Sequence, residues 1–372
     1  MFPRVDQDFL AGLRAGLGEA AAACELTLEP GGPAADPRIV TDKLQRLLLQ
    51  HRPHVVVGIV GSAMLRHVHA LFSDARVPFV VNNLGAEPLL DGGAPNEYVF
   101  HNSFNLWQSM YALGSWAART LGRRAALASG FHDSGYGIVP AFWSGFCDAG
   151  GGEIVATEVT NRDSSEEDPS VALQRLADAK PDLIVGLYAG RSALSFMQSY
   201  DALGLAPTLP LISSAFLMHR QWLGAMGDTA IGVRTAFSWD RDARRDEDRA
   251  FHAACAAAEL PDPDVFALLG YETGKALADA AARCGDKPSG DAVREALPLA
   301  VITSPRGEFS FDASTGEVPT KDYLLEVQRG EDGAARLATV GTLDLPERYA
   351  AEYAAYRAQE VRTGWTNAYM IT

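Results

Sequence analysis

The chain has 372 residues, 47% of them apolar and 21% charged, which is the composition of a folded protein of about two domains and excludes global disorder. Its 32 basic residues face 47 acidic ones, a net charge of −15. That balance argues against a nucleic-acid partner and against docking on an anionic membrane.

In chain order, helical periodicity opens the sequence, with Phe9, Leu10, Leu13 and Leu17 on one face. Glu25-Leu-Thr-Leu-Glu-Pro30 reads as a short strand, and 36–51 as a helix with Ile39, Leu44, Leu47 and Leu48 inward. Val55-Val-Val-Gly-Ile-Val60 is a β-branched run that predicts a strand buried on both faces. A helix over 63–74 and a strand at Pro78-Phe-Val-Val81 follow. Four helix–strand pairs come next: helix 105–120 with strand 124–129, helix 137–149 with strand 153–160, helix 169–179 with strand 182–188, and helix 191–203 with strand 210–214. This alternation predicts parallel sheets with helices on both faces and right-handed crossovers. After 232–239 comes a charged loop from Asp240 to Asp248, then helices near 246–258 and 264–283. Beyond 305 the texture becomes consecutive strands at Glu308-Phe-Ser-Phe, Tyr323-Leu-Leu-Glu-Val and Arg336-Leu-Ala-Thr-Val-Gly, closed by a helix over 346–361.

The longest apolar stretch, Val55 to Leu65, is too short to span a bilayer, and the first residues have no signal-peptide core, so no direct membrane insertion is expected. Cys24, Cys147, Cys255 and Cys284 form no Cys-x-x-Cys pair. They read as small buried hydrophobes, with Cys255 and Cys284 candidates for pairing in an oxidising compartment. Catalytic motifs fail when tested. Gly190-Arg-Ser192-Ala-Leu194 lacks the second glycine of a nucleophile elbow. P-loop and Gly-x-Gly-x-x-Gly patterns are absent. His51-x-x-His54 and His67-x-His69 have no acidic or cysteine partner at ligand spacing, and the Asp240 loop lacks the glycine and final glutamate of a calcium loop. No cofactor or metal is implied, and no enzymatic step.

What remains is geometric. In open parallel sheets ligands sit beyond the carboxyl ends of the strands. Those positions carry Ser62; Asn82, Asn83 and Gly85; His132, Asp133 and Tyr136; Tyr188, Gly190 and Arg191; and Ser214 and Phe216. Ser62 reads as a helix cap whose hydroxyl and following amides suit a carboxylate. Tyr136, Tyr188, Phe216 and Trp107 are candidate walls of an apolar pocket, each with core packing as its plain alternative.

Together, several segments resemble the type I periplasmic substrate-binding proteins of ABC transporters, in the leucine/isoleucine/valine-binding branch. They are Phe2-Pro3 with Asp8-Phe9-Leu-Ala-Gly12, Ile59-Val-Gly-Ser62, Phe100-His-Asn-Ser-Phe-Asn-Leu-Trp107-Gln108, Asp133-Ser-Gly-Tyr136-Gly137, Phe146-Cys-Asp-Ala-Gly-Gly151, Pro181-Asp-Leu-Ile-Val185, Gly270-Tyr-Glu-Thr273, Pro305-Arg-Gly-Glu-Phe-Ser-Phe-Asp312 and Tyr323-Leu-Leu-Glu-Val327. The resemblance implies an α/β fold of two doubly wound parallel-sheet lobes, residues 1–103 with 240–316 and 104–239 with 317–372. Three crossovers near 102–105, 237–240 and 315–322 would join them. It implies capture of a small carboxylate-bearing ligand between the lobes, a permease of an ABC transporter as partner, and a periplasmic location. Ser62 matches the serine that binds the ligand carboxylate. Asn83 and Gly85 fall on a contact loop, Tyr136 matches a pocket tyrosine, and Tyr188 lies on the matching strand end.

Two departures stand out. Amino-acid binders of this kind place an acid after the strand at 210–214, where this chain has Ser213-Ser-Ala-Phe216. A buried ammonium without a counter-charge is costly, which favours a carboxylate, an aromatic acid or an amide, with Asp133 or Glu272 as substitute acids. The chain also starts where the family's first strand would end, so a first strand and a signal peptide are expected upstream. Rival readings are a cytosolic amide-type sensor on the same fold, an α/β enzyme, and the binding module of a larger receptor.

Overall fold

The computed structural model describes residues 4–31, 36–88, 95–131, 133–160, 168–285 and 288–358. Phe2, Pro3, His132 and the last turn of the helix expected over 346–361 lie outside the described residues. In chain order the elements are α1 (Val5–Leu17), α2 (Pro37–His51), β1 (Val56–Ile59), α3 (Ser62–Ala75), β2 (Phe79–Asn83), β3 (Val99–Ser103), α4 (Leu106–Thr120), β4 (Arg124–Ser129), α5 (Ile138–Trp143), β5 (Glu153–Val159), α6 (Pro169–Asp178), β6 (Leu183–Leu187), α7 (Gly190–Ala202), β7 (Leu211–Ser213) and α8 (Arg220–Met226). Then come β8 (Arg234–Phe237), α9 (Asp246–Ala257), α10 (Val265–Cys284), α11 (Gly290–Ala296), β9 (Ile302–Ser304), β10 (Gly307–Phe309), β11 (Asp322–Arg329), β12 (Ala335–Leu343) and α12 (Tyr349–Arg357).

Two main sheets organise the molecule. The smaller is parallel, in the order β1-β2-β3. Apolar residues of α2 and α3 (Val40, Met64, Val68, Phe72) pack with Phe79 and Val81 on one face. Val80 and Phe100 point to the other face, against Ala276 and Ala280 of α10 and Val293 of α11. The alternation of Phe79, Val80 and Val81 between two cores is the period of two of a strand covered on both sides. The larger sheet has the order β12-β11-β8-β7-β6-β4-β5. Its five strands β4 to β8 are parallel, while β11 and β12 are antiparallel additions at one edge. Helices α4 and α5 cover one face with Leu113 and Phe142, and α6, α7 and α8 cover the other with Leu173, Phe196 and Leu223. The chain passes between the sheets three times, after β3, after β8 and before β11.

Four expectations are corrected. Residues 25–30 form no strand, and Leu26 and Leu28 are exposed there, because no neighbouring strand offers them a ladder. The run 55–60 is not buried on both faces: β1 is an edge strand whose Val57, Gly58 and Ile59 are half-buried. The strands after 305 are not one consecutive set, since β10 pairs with β9 in a separate hairpin and β11 and β12 join the large sheet. Cys255 and Cys284 are both free thiols, and burial raises the Cys255 thiol to about 12.

Helix α1 has no strand before it among the described residues and is held by α10 instead. A Cβ on Gly12 would stand 2.0 Å from the Ala267 carbonyl oxygen, one on Gly16 2.0 Å from that of Tyr271, and one on Gly270 2.2 Å from that of Phe9. Only glycine permits two helix backbones to approach so closely. Asp264 starts α10 by accepting from the amides of Phe266 at 2.8 Å and Ala267 at 3.0 Å, which satisfies two donors that the helix itself cannot.

Candidate functional site

The carboxyl ends of β1 and β2 face the loop that follows β4, and the two sides touch. Gly61, not Ser62, is the cap of α3; Ser62 is its first residue. The Ser62 hydroxyl is buried and donates to the Glu87 carbonyl at 2.9 Å. The Glu87 carboxylate points across to the other side. It accepts from the Gly137 amide at 2.6 Å and from the Tyr356 hydroxyl of α12 at 3.2 Å. A Cβ on Gly137 would stand 2.7 Å from the Ala86 carbonyl oxygen, so this contact needs glycine at that place. The structure thus brings Ser62 and the Tyr136–Gly137 turn together through Glu87, a residue that sequence reading passed over. Its only signal there was an acid beside Pro88 in an otherwise apolar strand-end loop.

The other candidates have different surroundings. The Asn83 side chain is committed within the small sheet. Its amide donates to Val60 O at 2.9 Å, and its oxygen accepts from the Gly85 amide at 2.9 Å and from His101 Nε2 at 2.8 Å. His101 is wholly buried, and desolvation, with a smaller contribution from Arg357, lowers its pKa to about 3, so the ring is neutral. Gly85 has a φ of +72°, and a Cβ there would meet the Ser103 hydroxyl at 2.2 Å. It is the turn that lets the loop after β2 back onto the start of α4, where its carbonyl accepts from the Trp107 amide at 2.8 Å. The Trp107 ring is 1% exposed, with centroid distances of 5.1 Å to Tyr356 and 5.3 Å to Tyr353. It supports α12 and the tyrosine that reaches Glu87. Tyr188 is fully buried, stacks on Phe196 at 4.4 Å and lies against Gly130. Tyr136 is 7% exposed within the core that also holds Leu84 and Ala86. Half-buried Phe216 lies edge-on to Phe237 at 6.3 Å, and Phe237 stacks on Phe104 at 4.9 Å, which forms an aromatic file toward the first pass between the sheets.

At that pass sits a buried ion pair. Arg306 Nη2 is 2.5 Å from Glu272 Oε2, and both side chains are at most 3% exposed. The same guanidinium donates to the Ser103 carbonyl at 2.6 Å and to Asn102 Oδ1 at 2.7 Å, and it lies 4.8 Å over the Phe104 ring. Glu272 also accepts from Ser304 at 2.8 Å. Its lone pairs are spent on this cluster, which corrects the idea that Glu272 serves as a substitute acid for a ligand ammonium. The third pass is tied down in a similar way. Gln108 donates to Asp322 at 2.8 Å, Ser109 donates to its other oxygen, and burial raises the Asp322 carboxyl to about 6 against those two hydrogen bonds.

Comparison with known proteins places this architecture. A family model described as periplasmic binding protein matches residues 3–334. The chain belongs to the periplasmic binding protein family. It is 27% identical over 308 residues to the Leu/Ile/Val-binding protein homolog 6 of Brucella melitensis, covering 81% of this chain and 77% of that one. Its fold matches the ABC transporter substrate-binding protein from Sphaerobacter thermophilus with a TM-score of 0.79 and 28% identity, over 92% of this chain and 94% of that one. It also matches a Rhodopseudomonas palustris solute-binding protein solved with 4-hydroxybenzoate, with a TM-score of 0.75 and 21% identity, over 94% and 95%. As a periplasmic binding protein the chain has a binding role, and its two-sheet α/β fold is that of type I members. Among the described residues no helix is long and apolar enough to cross a membrane, and no group of three or more His, Cys, Asp or Glu is placed to hold a metal ion.

Proposed function

We propose that this binding protein captures a small carboxylate-bearing solute between the two sheets and delivers it to an ABC transporter permease in the periplasm. The observation that supports this most is the meeting of two strand-end loops of the small sheet, at Ser62 and Glu87, with one of the large sheet, at Gly137. In this reading the lobes are 1–103 with 240–316 and 104–239 with 317–372. The first amides of α3 receive the carboxylate, where the positive end of a 14-residue helix favours an anion, and Ser62 turns its hydroxyl from the Glu87 carbonyl to the solute as it enters. Tyr136 and Phe216 face the apolar part of the solute, and Asn83, Gly85, Trp107 and Tyr188 hold those loops in place.

An aromatic acid fits better than an α-amino acid. Residues 213–216 carry no acid and Glu272 is neutralised by Arg306, so of the acids weighed for an ammonium only Asp133 is left. The test is a thermal-shift panel of benzoate, 4-hydroxybenzoate, leucine and short amides, because a ligand of the native state alone raises the melting point. The acid with the largest shift is then titrated by calorimetry. Ser62→Ala is expected to raise its Kd by about tenfold or more, the value of a hydrogen bond to a charged group, and Ser192→Ala to leave it unchanged. Equal affinity in wild type and Ser62→Ala would sink the carboxylate assignment.

A further inference from the structure

Besides the solute loops, one further element, α12, reaches Glu87, and its contacts point to a clasp. Helix α12 is the last described element, and it lies across the region where the sheets meet. Tyr356 reaches Glu87, beyond the end of β2. One residue on, Arg357 pairs with Glu317 at 3.3 Å, and Tyr353 donates to the same carboxylate at 3.3 Å. Glu317 belongs to the segment that runs beside β3, through the His101–Glu317 bridge, before the chain enters the large sheet. One short helix therefore holds two carboxylates, Glu87 after β2 and Glu317 beside β3. Its own ring cluster is rooted on Trp107 and Tyr111 of α4, which packs on the large sheet.

We propose that α12 is a clasp that holds the two sides shut, with the Glu87 carboxylate as its catch between the Tyr356 hydroxyl and the Gly137 amide. Opening the cleft separates Glu87 from Gly137, because the two sit on loops of different sheets. It also breaks the hydrogen bond from the Gly137 amide to a carboxylate, which is stronger than one between neutral groups. Closure is thus favoured by contacts inside the protein before any solute adds its own, and the open–closed balance is set by Glu87 and Tyr356. The aromatic packing of α12 on α4 makes the helix move with the large sheet, so the catch engages or releases as a unit.

This inference rests on the proposed cleft, but its test does not need a ligand. Glu87→Gln and Tyr356→Phe are each compared with wild type and with Ser192→Ala by solution X-ray scattering and by amide hydrogen exchange. Both clasp variants are expected to show a larger radius of gyration. Exchange across 133–141 should be faster by about tenfold or more, with strands β4 and β6 unchanged. Tyr356→Phe removes one oxygen and keeps the ring, so it guards against a folding defect in the Glu87 variant. Wild-type scattering in both variants overturns the clasp, whether exchange stays slow or rises, since faster exchange alone is local fraying. If no acid shifts the melting point, the solute reading fails while scattering and exchange still decide the clasp.

Discussion

His101 and Asp322 are two buried titratable groups whose effects on stability run in opposite directions. His101 falls from an ordinary 6.5 to about 3, so the unfolded chain takes up its proton first and stability is lost as the pH drops below about 6.5. Asp322 rises from 3.8 to about 6, so the folded state holds its proton more tightly and its contribution is lost as the pH climbs from about 4 to 6. Between about pH 4 and pH 6 the two slopes oppose each other. Asp322→Asn is therefore expected to steepen the fall in melting temperature from pH 6 to pH 4, and His101→Gln to flatten it; melts at four pH values would show this. The Arg306–Glu272 pair gives a second residue-scale test. Arg306→Met alone should cost about 3–5 kcal/mol, because it leaves a carboxylate buried without its partner. Adding Glu272→Gln should recover much of that loss, and denaturant unfolding of the four species measures the coupling. Neither cluster was legible in the sequence. No strand was expected over 99–103, yet these residues form β3, and His101, Asn102 and Ser103 each find a partner on a distant element: Asn83, Leu269 and Arg306.

At the scale of elements, the strands and helices of the large sheet were the most legible part. β4 occupies 124–129 as expected, and β6 and β7 lie inside their expected ranges, because continuous burial demands continuous apolar side chains. The failures have one cause. A strand exists only where a neighbour completes its ladder, so 25–30 lacks pairing despite its alternating leucines, and β9 was missed although a short hairpin completes it. Helix pairing was hidden for another reason. Gly12, Gly16, Gly270 and Gly274 look like helix-weakening residues in a linear reading, and only the crossing of α1 and α10 shows that each makes room for a backbone. Gly270→Ala is expected to cost about 1–3 kcal/mol by forcing the helices apart. Its signature would be a melting point lower by roughly 2–4 °C per kcal/mol, with faster amide exchange along α1.

Among the described residues the two main sheets share core residues and are linked by three passes of the chain. Each pass is fastened: the first by Arg306, the second by the Ser238 hydroxyl donating to the Phe104 carbonyl at 3.3 Å, and the third by Asp322. A solute that binds both sides should therefore stabilise the protein as one unit. A single melting transition that shifts upward with added acid is the expected result, and two transitions moving independently would contradict the shared cleft. By itself the sequence determined the α/β class, the order of nearly all helices and parallel strands, and the family resemblance, because burial patterns and motif spacing are local properties of the chain. Only the tertiary structure decided which strand ends meet and which buried charges neutralise each other. It also showed that Glu87, Gly137 and Tyr356 converge, because those residues lie 50 and 269 positions from Glu87 along the chain and their partnership exists only once the two sheets close on one another.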